Sequence, residues 1–180
     1  MKITHTPIQD LHIIEPKVFD DERGCFFESW NKEKLAEQGF IWDFVQDNQS
    51  CSKKNVLRGL HFQIPPYEQG KLVRVVKGEA LDVAVDLRKN SDTFGNHFKL
   101  ILNEANKKML WIPPGFAHGF LAMENNTIVF YKCTKKYNKE SERSILWNDQ
   151  HLSIDWGINN PIISPKDLKA PLFKNLQSPF

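Results

Sequence analysis

Two histidine-bearing segments hold the side chains best suited to chemistry in this 180-residue chain. His61 lies in Arg58-Gly-Leu-His-Phe-Gln63, and His118 in Pro113-Pro-Gly-Phe-Ala-His-Gly119. Imidazole has an unperturbed pKa of about 6.5, so it accepts and returns a proton at cellular pH. Either histidine also reads as a hydrogen-bonded structural residue of a strand or turn. A base needs an orienting partner on its second ring nitrogen, and Asp167, in Ile163-Ser-Pro-Lys-Asp167, is the chosen carboxylate. Ser164, Pro165 and Asp167 equally spell the N-cap, first-turn proline and acidic third position of a short helix, and the two roles are compatible. Inverting a carbon requires an acid on the opposite side. Tyr131 is the candidate, on a segment whose alternation puts Val129, Tyr131 and Cys133 on one face, although a strand tyrosine commonly serves packing alone. Arg58 and Lys71 are cations in otherwise apolar strands. They suit an oxyanion or a phosphate, or they are solvated edge residues.

The elements that must position these groups are mostly strands. Leu81, Val83, Val85 and Leu87 alternate with Asp82, Ala84 and Asp86, which predicts a strand with an apolar and a polar face. Lys71 to Lys77 is β-branched and joins that strand through a turn at Gly78-Glu79. Further strands are expected over Val56 to Gln63, Phe98 to Leu102, Met109 to Ile112 and Thr127 to Cys133. One helix is expected over Trp30 to Gln38, with Asn31 as N-cap and Gly39 as the stop. Short strands separated by Gly, Pro or Asn suit an antiparallel sandwich or barrel. The chain reads as a single domain, 1–180. Residues 1–50 form an opening segment of strands and helix, 51–135 the barrel body and 136–180 a C-terminal segment. Strict alternation puts Arg58 and His61 on opposite faces, so both reach one cavity only if a bulge intervenes, and Gly59 is where one is expected.

Composition narrows the class. Lys+Arg 24 against Asp+Glu 22 gives a net charge of +2, which offers no electrostatic argument for nucleic acid. Three cysteines, Cys25, Cys51 and Cys133, fit neither a disulfide framework nor a zinc knuckle. No run approaches the roughly 20 apolar residues of a membrane helix, and the N-terminus lacks the apolar core of a signal peptide. A cytoplasmic protein is expected.

Together the two histidine segments resemble the signature motifs of the cupin superfamily. Pro113-x-Gly115-x-x-His118 fits the second motif. The first departs from it, because His61-x-Gln63 stands where a metal cupin carries two histidines. Transition metals want three or four well-placed ligands, so the cavity is expected to work without a metal. The likeness then sharpens. Asp21-Glu-Arg-Gly-Cys-Phe-Phe-Glu28, Phe44-Val-Gln-Asp-Asn-Gln-Ser50, Asn55 to Gln63, Gln69 to Val75, Leu81 to Arg88, Trp111 to Phe120, Trp147-Asn-Asp149 and Ile163 to Asp167 resemble, in order and over nearly the whole chain, the dTDP-4-dehydrorhamnose 3,5-epimerase family.

That resemblance implies an all-β, cupin-type antiparallel barrel or jelly roll with a few short helices, a homodimer and no cofactor. It implies double epimerisation of a dTDP-4-keto-6-deoxy sugar beside its ketone. Carried over by position, His61 is the general base, Asp167 its partner and Tyr131 the opposing acid. Lys71 and Arg58 steady the enolate or the sugar, with His118 nearby. Asp82 is expected to hold Lys71 in an ion pair. Nucleotide contacts map onto Arg23, Phe26, Glu28, Gln46 and Asn48, with Tyr137 stacking on the base and Lys166 adding charge near the phosphates. The family's N-terminal segment crosses to the neighbouring subunit, so some of these contacts come from the partner. Rival readings are a single-centre epimerase or ketoisomerase of a related nucleotide sugar, a metal-dependent cupin oxygenase, and a non-catalytic sugar-binding barrel.

Overall fold

Period-two alternation becomes antiparallel strand nearly everywhere in the computed structural model, which describes residues 1–180. In chain order the elements are β1 (Lys2–His5), β2 (His12–Glu15), β3 (Val18–Asp21), β4 (Gly24–Phe27), α1 (Lys32–Ala36), β5 (Gln46–Ser52), β6 (Leu57–Gln63), β7 (Lys71–Lys77), β8 (Glu79–Asp86), β9 (His97–Asn103), β10 (Met109–Ile112), β11 (Phe116–Ala122), β12 (Thr127–Cys133), β13 (Glu142–Ser144) and α2 (Pro165–Leu168), followed by a 3-10 turn at Phe173–Asn175. A six-stranded sheet runs β1-β2-β10-β7-β12-β5 and a five-stranded sheet runs β13-β6-β11-β8-β9. Every strand pair in them is antiparallel. The expected all-β jelly roll with a few short helices is the fold observed. No helix is long and apolar enough to cross a membrane.

Alternation sends each strand's residues to two different cores. Val73, Val75 and Val129 of the larger sheet meet Ala80, Ala84, Phe116 and Phe120 of the smaller sheet in the layer between them. On the outer side of the smaller sheet, Leu60, Phe62, Val83, Val85 and Leu121 pack under Ile145, Trp147, Leu152 and Trp156 of the C-terminal segment. On the outer side of the larger sheet, Ile14, Leu72, Met109 and Trp111 are covered by Trp30, Trp42 and Phe44. Covering both outer faces corrects one expectation. The Asp82-Ala84-Asp86 face of β8 is not solvated, because it points into the layer between the sheets, and both aspartates are fully buried.

The helix is shorter than expected. Asn31 caps α1, its side chain accepting from the Lys34 N–H, but the α-helical span ends at Ala36, ahead of Gly39. β3 and β4 form a separate two-stranded hairpin outside both sheets.

Candidate active site between the two sheets

The bulge expected at Gly59 lies on β6. His61 pairs with His118 and Arg58 with Phe120, so three steps of β6 span two steps of β11. One extra residue lets Arg58 and His61 face the same cavity. Gly59 makes this possible. Its φ of +135° suits only glycine, and a Cβ there would lie 2.5 Å from Gly119 Cα.

The cavity encloses about 500 Å³ and is lined by Arg58, His61, Lys71, His118, Tyr131, Lys166 and Asp167 among others. A second hollow of about 300 Å³ shares His61, Lys71 and Tyr131, and adds Gln46, Asn48, Gln63, Gln69, Tyr137 and Glu142. Together they fit the size range of small-ligand sites. Seven of the expected residues thus meet in the first hollow, and Gln46, Asn48 and Tyr137 meet in the second.

His61 and Asp167 are hydrogen-bonded, Nε2 to Oδ1, at 2.7 Å. Asp167 is also in the cap of α2, but through its backbone. Its N–H donates to Ser164 Oγ at 3.1 Å, so the cap does not take up the carboxylate oxygen that meets His61. Burial pushes the Asp167 carboxyl up, yet the hydrogen bond and charge of His61, with contacts from Ser164 and Gly59, outweigh it and hold the group below the usual carboxylate range. When the imidazole is neutral and donates to that carboxylate, its other ring nitrogen carries the lone pair.

Tyr131 stands on the facing sheet, its ring 6.4 Å from that of His118. Burial, helped by Cys133, raises the phenol above its ordinary pKa, against the pull of Arg58. It therefore keeps its proton at neutral pH. The Lys71 ammonium sits 5.9 Å from the centre of the Tyr131 ring, and burial lowers its pKa.

The expected Lys71–Asp82 ion pair is absent. Asp82 Oδ2 instead accepts from His118 Nε2 at 2.9 Å. The reason is topological. Asp82 and His118 are on adjacent strands of the smaller sheet, while Lys71 projects from the larger one.

Gln63 explains the departure from the metal-cupin motif. Its amide donates to the carbonyls of Tyr67 at 2.6 Å and Lys136 at 3.2 Å, and its oxygen accepts from Asn138 N–H at 2.7 Å. The side chain clamps loops. No group of three or more His, Cys, Asp or Glu side chains is arranged to hold a metal ion.

Three expected nucleotide contacts are not brought to this cavity. Arg23 follows β3 in the separate hairpin, and pairs with Asp21 at 2.6 Å. Phe26 on the same hairpin is 68% exposed. Glu28 binds Asn31 at 2.9 Å and also Lys34.

Sequence reasoning missed Glu142. It accepts from Tyr137 Oη at 3.1 Å and from Lys166 Nζ, joining two expected contacts. In Lys139-Glu-Ser-Glu-Arg143 it looks like one charge of a solvated run. Reasoning named Gln46 and Asn48 but missed the strand that carries them and its further inner residues Ser50 and Ser52, for which polar residues at every second position were the available signal.

The sequence model for dTDP-4-dehydrorhamnose 3,5-epimerase matches residues 5–175. The dTDP-4-dehydrorhamnose 3,5-epimerase of Salmonella typhimurium is 53% identical over 174 residues, which are 96% of this chain and 95% of that protein. The crystal structure of the Elizabethkingia anophelis enzyme of that name superposes with a TM-score of 0.94 at 49% identity, covering 99% of this chain and 98% of the other. The dTDP-6-deoxy-D-glucose-3,5-epimerase of Legionella pneumophila, solved in complex with dTDP-4-keto-L-rhamnose, gives 0.93 at 48% identity over 98% and 94%. Matched over residues 5–175 in sequence and over 99% of its length in backbone, the chain belongs to the dTDP-4-dehydrorhamnose 3,5-epimerase family.

Proposed function

We propose that this chain converts dTDP-4-dehydro-6-deoxy-D-glucose to dTDP-4-dehydro-L-rhamnose, inverting carbons 3 and 5, as a step of dTDP-rhamnose biosynthesis. The observation that carries the reading is the His61–Asp167 pair on one side of a cavity whose other side presents Tyr131. The ketone at carbon 4 acidifies the protons at carbons 3 and 5. His61 takes one of them, and the charge moves to the keto oxygen as an enolate. Asp167 steadies the imidazolium. Lys71 and Arg58 supply positive charge near the enolate oxygen, with His118 beside them. Tyr131 returns a proton to the opposite face of the carbon. The imidazolium and the phenolate are then reset by proton exchange with water, and the cycle repeats at the second carbon. Each acid–base step contributes about 10²–10⁴-fold. Positioning and electrostatics supply the rest.

The nucleotide end belongs in the second hollow. Gln46 and Asn48 line its wall, Tyr137 offers a face to the thymine, and Lys166 lies toward the phosphates. Arg23, Phe26 and Glu28 lie outside their own chain's cavity, so in this reading two copies form a homodimer and each hairpin completes the other's site. Three free cysteines suit a reducing cytoplasm. The test is to offer dTDP-4-keto-6-deoxyglucose in deuterated water and follow the sugar by NMR. Deuterium at carbons 3 and 5 of an inverted product is expected. Label and inversion at one carbon only would replace this reading by the single-centre one.

A further inference from the structure

The inner face of β5 carries Gln46, Asn48, Ser50 and Ser52, while Asp47, Gln49 and Cys51 between them are exposed. Three of the four inner side chains have protein partners. Gln46 donates to Asn48 at 3.0 Å and accepts from Tyr137 N–H at 2.8 Å, and Asn48 reaches Cys133 Sγ at 3.5 Å. Ser52 Oγ accepts from Arg58 Nε at 3.2 Å. That last bond differs in kind. Arg58 comes from β6 and Ser52 from β5, so it ties the smaller sheet to the larger one across the site.

Resting on the reading of this cavity as the epimerase site, we propose that Ser52 is a positioning residue that aims the Arg58 guanidinium at the bound sugar nucleotide. Arg58 is exposed and has no carboxylate within ion-pair distance, and Ser52 is the one side chain that hydrogen-bonds it. An arginine stem free to rotate presents its charge in many directions, and ordering it costs conformational entropy at each binding event. Fixing Nε leaves the terminal N–H groups of the fork for an oxygen in the cavity that Arg58 lines. Ser52 itself is held still. It is 4% exposed and pairs in register with Thr127, whose single hydroxyl proton is within reach of the Glu124 carbonyl at 2.9 Å and the Glu79 carbonyl at 3.2 Å.

A double-mutant cycle on the full-length protein decides this. Two readouts are taken, kcat/KM for dTDP-4-keto-6-deoxyglucose and the calorimetric affinity for dTDP-glucose. Ser52→Ala is expected to lower both by about tenfold where Arg58 is present, and to change neither in an Arg58→Ala background. The thermal midpoint stays at the wild-type value, and Ser52→Thr, which keeps the acceptor, retains near-wild-type values. An equal loss with and without Arg58, or no loss with Arg58 present, overturns the proposal. The affinity arm does not depend on turnover, so a wild-type protein inactive on the keto sugar would count against the epimerase reading and leave the cycle able to judge Ser52.

Discussion

His61 and His118 are neighbours across the β6–β11 ladder, and each hydrogen-bonds a carboxylate through Nε2. Their surroundings differ. The His61 side chain is 32% exposed and its carboxylate arrives from α2, outside the sheets. The His118 side chain is 6% exposed, and Asp82 belongs to the next strand of the same sheet. Asp82 Oδ1 is buried without a partner, whereas the Asp167 carboxylate is drawn down by several contacts. The same pair is thus built twice, once with the imidazole open to the cavity and solvent, and once with the imidazole nearly covered. The difference teaches that access, more than the pairing itself, separates a proton-transfer group from a hydrogen-bonding wall.

Breaking the two pairs separately tests that lesson. His61→Ala is expected to lower kcat by about 10³-fold or more while dTDP binding survives, and His118→Ala by at most about 10²-fold, as measured by steady-state kinetics and calorimetry. Equal losses would erase the distinction. Tyr131→Phe removes the proposed acid opposite the open pair. It should abolish net inversion yet retain some deuterium exchange at the sugar carbons, followed by NMR, and normal epimerisation would remove the role given to Tyr131. Asp167→Asn, which leaves the imidazole without its anion, is expected to cost about 10–100-fold in kcat and to distort the acid limb of the rate profile.

A complementation assay addresses the contacts that lie away from both pairs. Arg23→Ala should weaken substrate binding, although Arg23 is outside its own chain's cavity. Mixing that variant with His61→Ala should restore activity, because a mixed dimer holds one site with both residues intact. No recovery after verified subunit exchange would sink the crossed hairpin.

The smallest effect concerns stability. The folded pKa of Asp167 is lowered, so the folded state binds that proton less readily than the unfolded chain does. The resulting stabilisation is complete above the unfolded value of about 3.9 and is lost as pH falls through the folded one. Asp167→Asn should therefore flatten the decline of the thermal midpoint below about pH 5 relative to the wild type.

Legibility in the sequence followed burial geometry. β7, β10 and β12 were readable to the residue because each alternates or runs apolar between clear stops. β11 was not among the expected strands. All seven of its residues are buried, so Phe116 to Ala122 shows no alternation between inside and outside. β5 escaped notice because its inward face forms the wall of a polar site, so Gln46, Asn48, Ser50 and Ser52 carry no hydrophobic signal. His61, Asp167 and Tyr131, which the structure brings to one cavity, were legible because each occupies a recognisable motif. The Asp82 assignment failed because alternation tells which face a residue is on, but not which sheet lies across from it. Glu142 failed for a related reason, since its contacts with Tyr137 and Lys166 close only in three dimensions.

Where β6 meets β11, two bare backbones touch. A Cβ on Gly59 would fall 2.5 Å from Gly119 Cα, and a Cβ on Gly119 would fall 2.9 Å from the Arg58 carbonyl oxygen. Neither position tolerates even one added methyl without prying the strands apart, and those strands carry both imidazoles and the guanidinium. The alignment of three cavity-lining side chains is thereby delegated to two residues that have none, so a lesion there should misalign the whole set together while each of its members remains chemically intact.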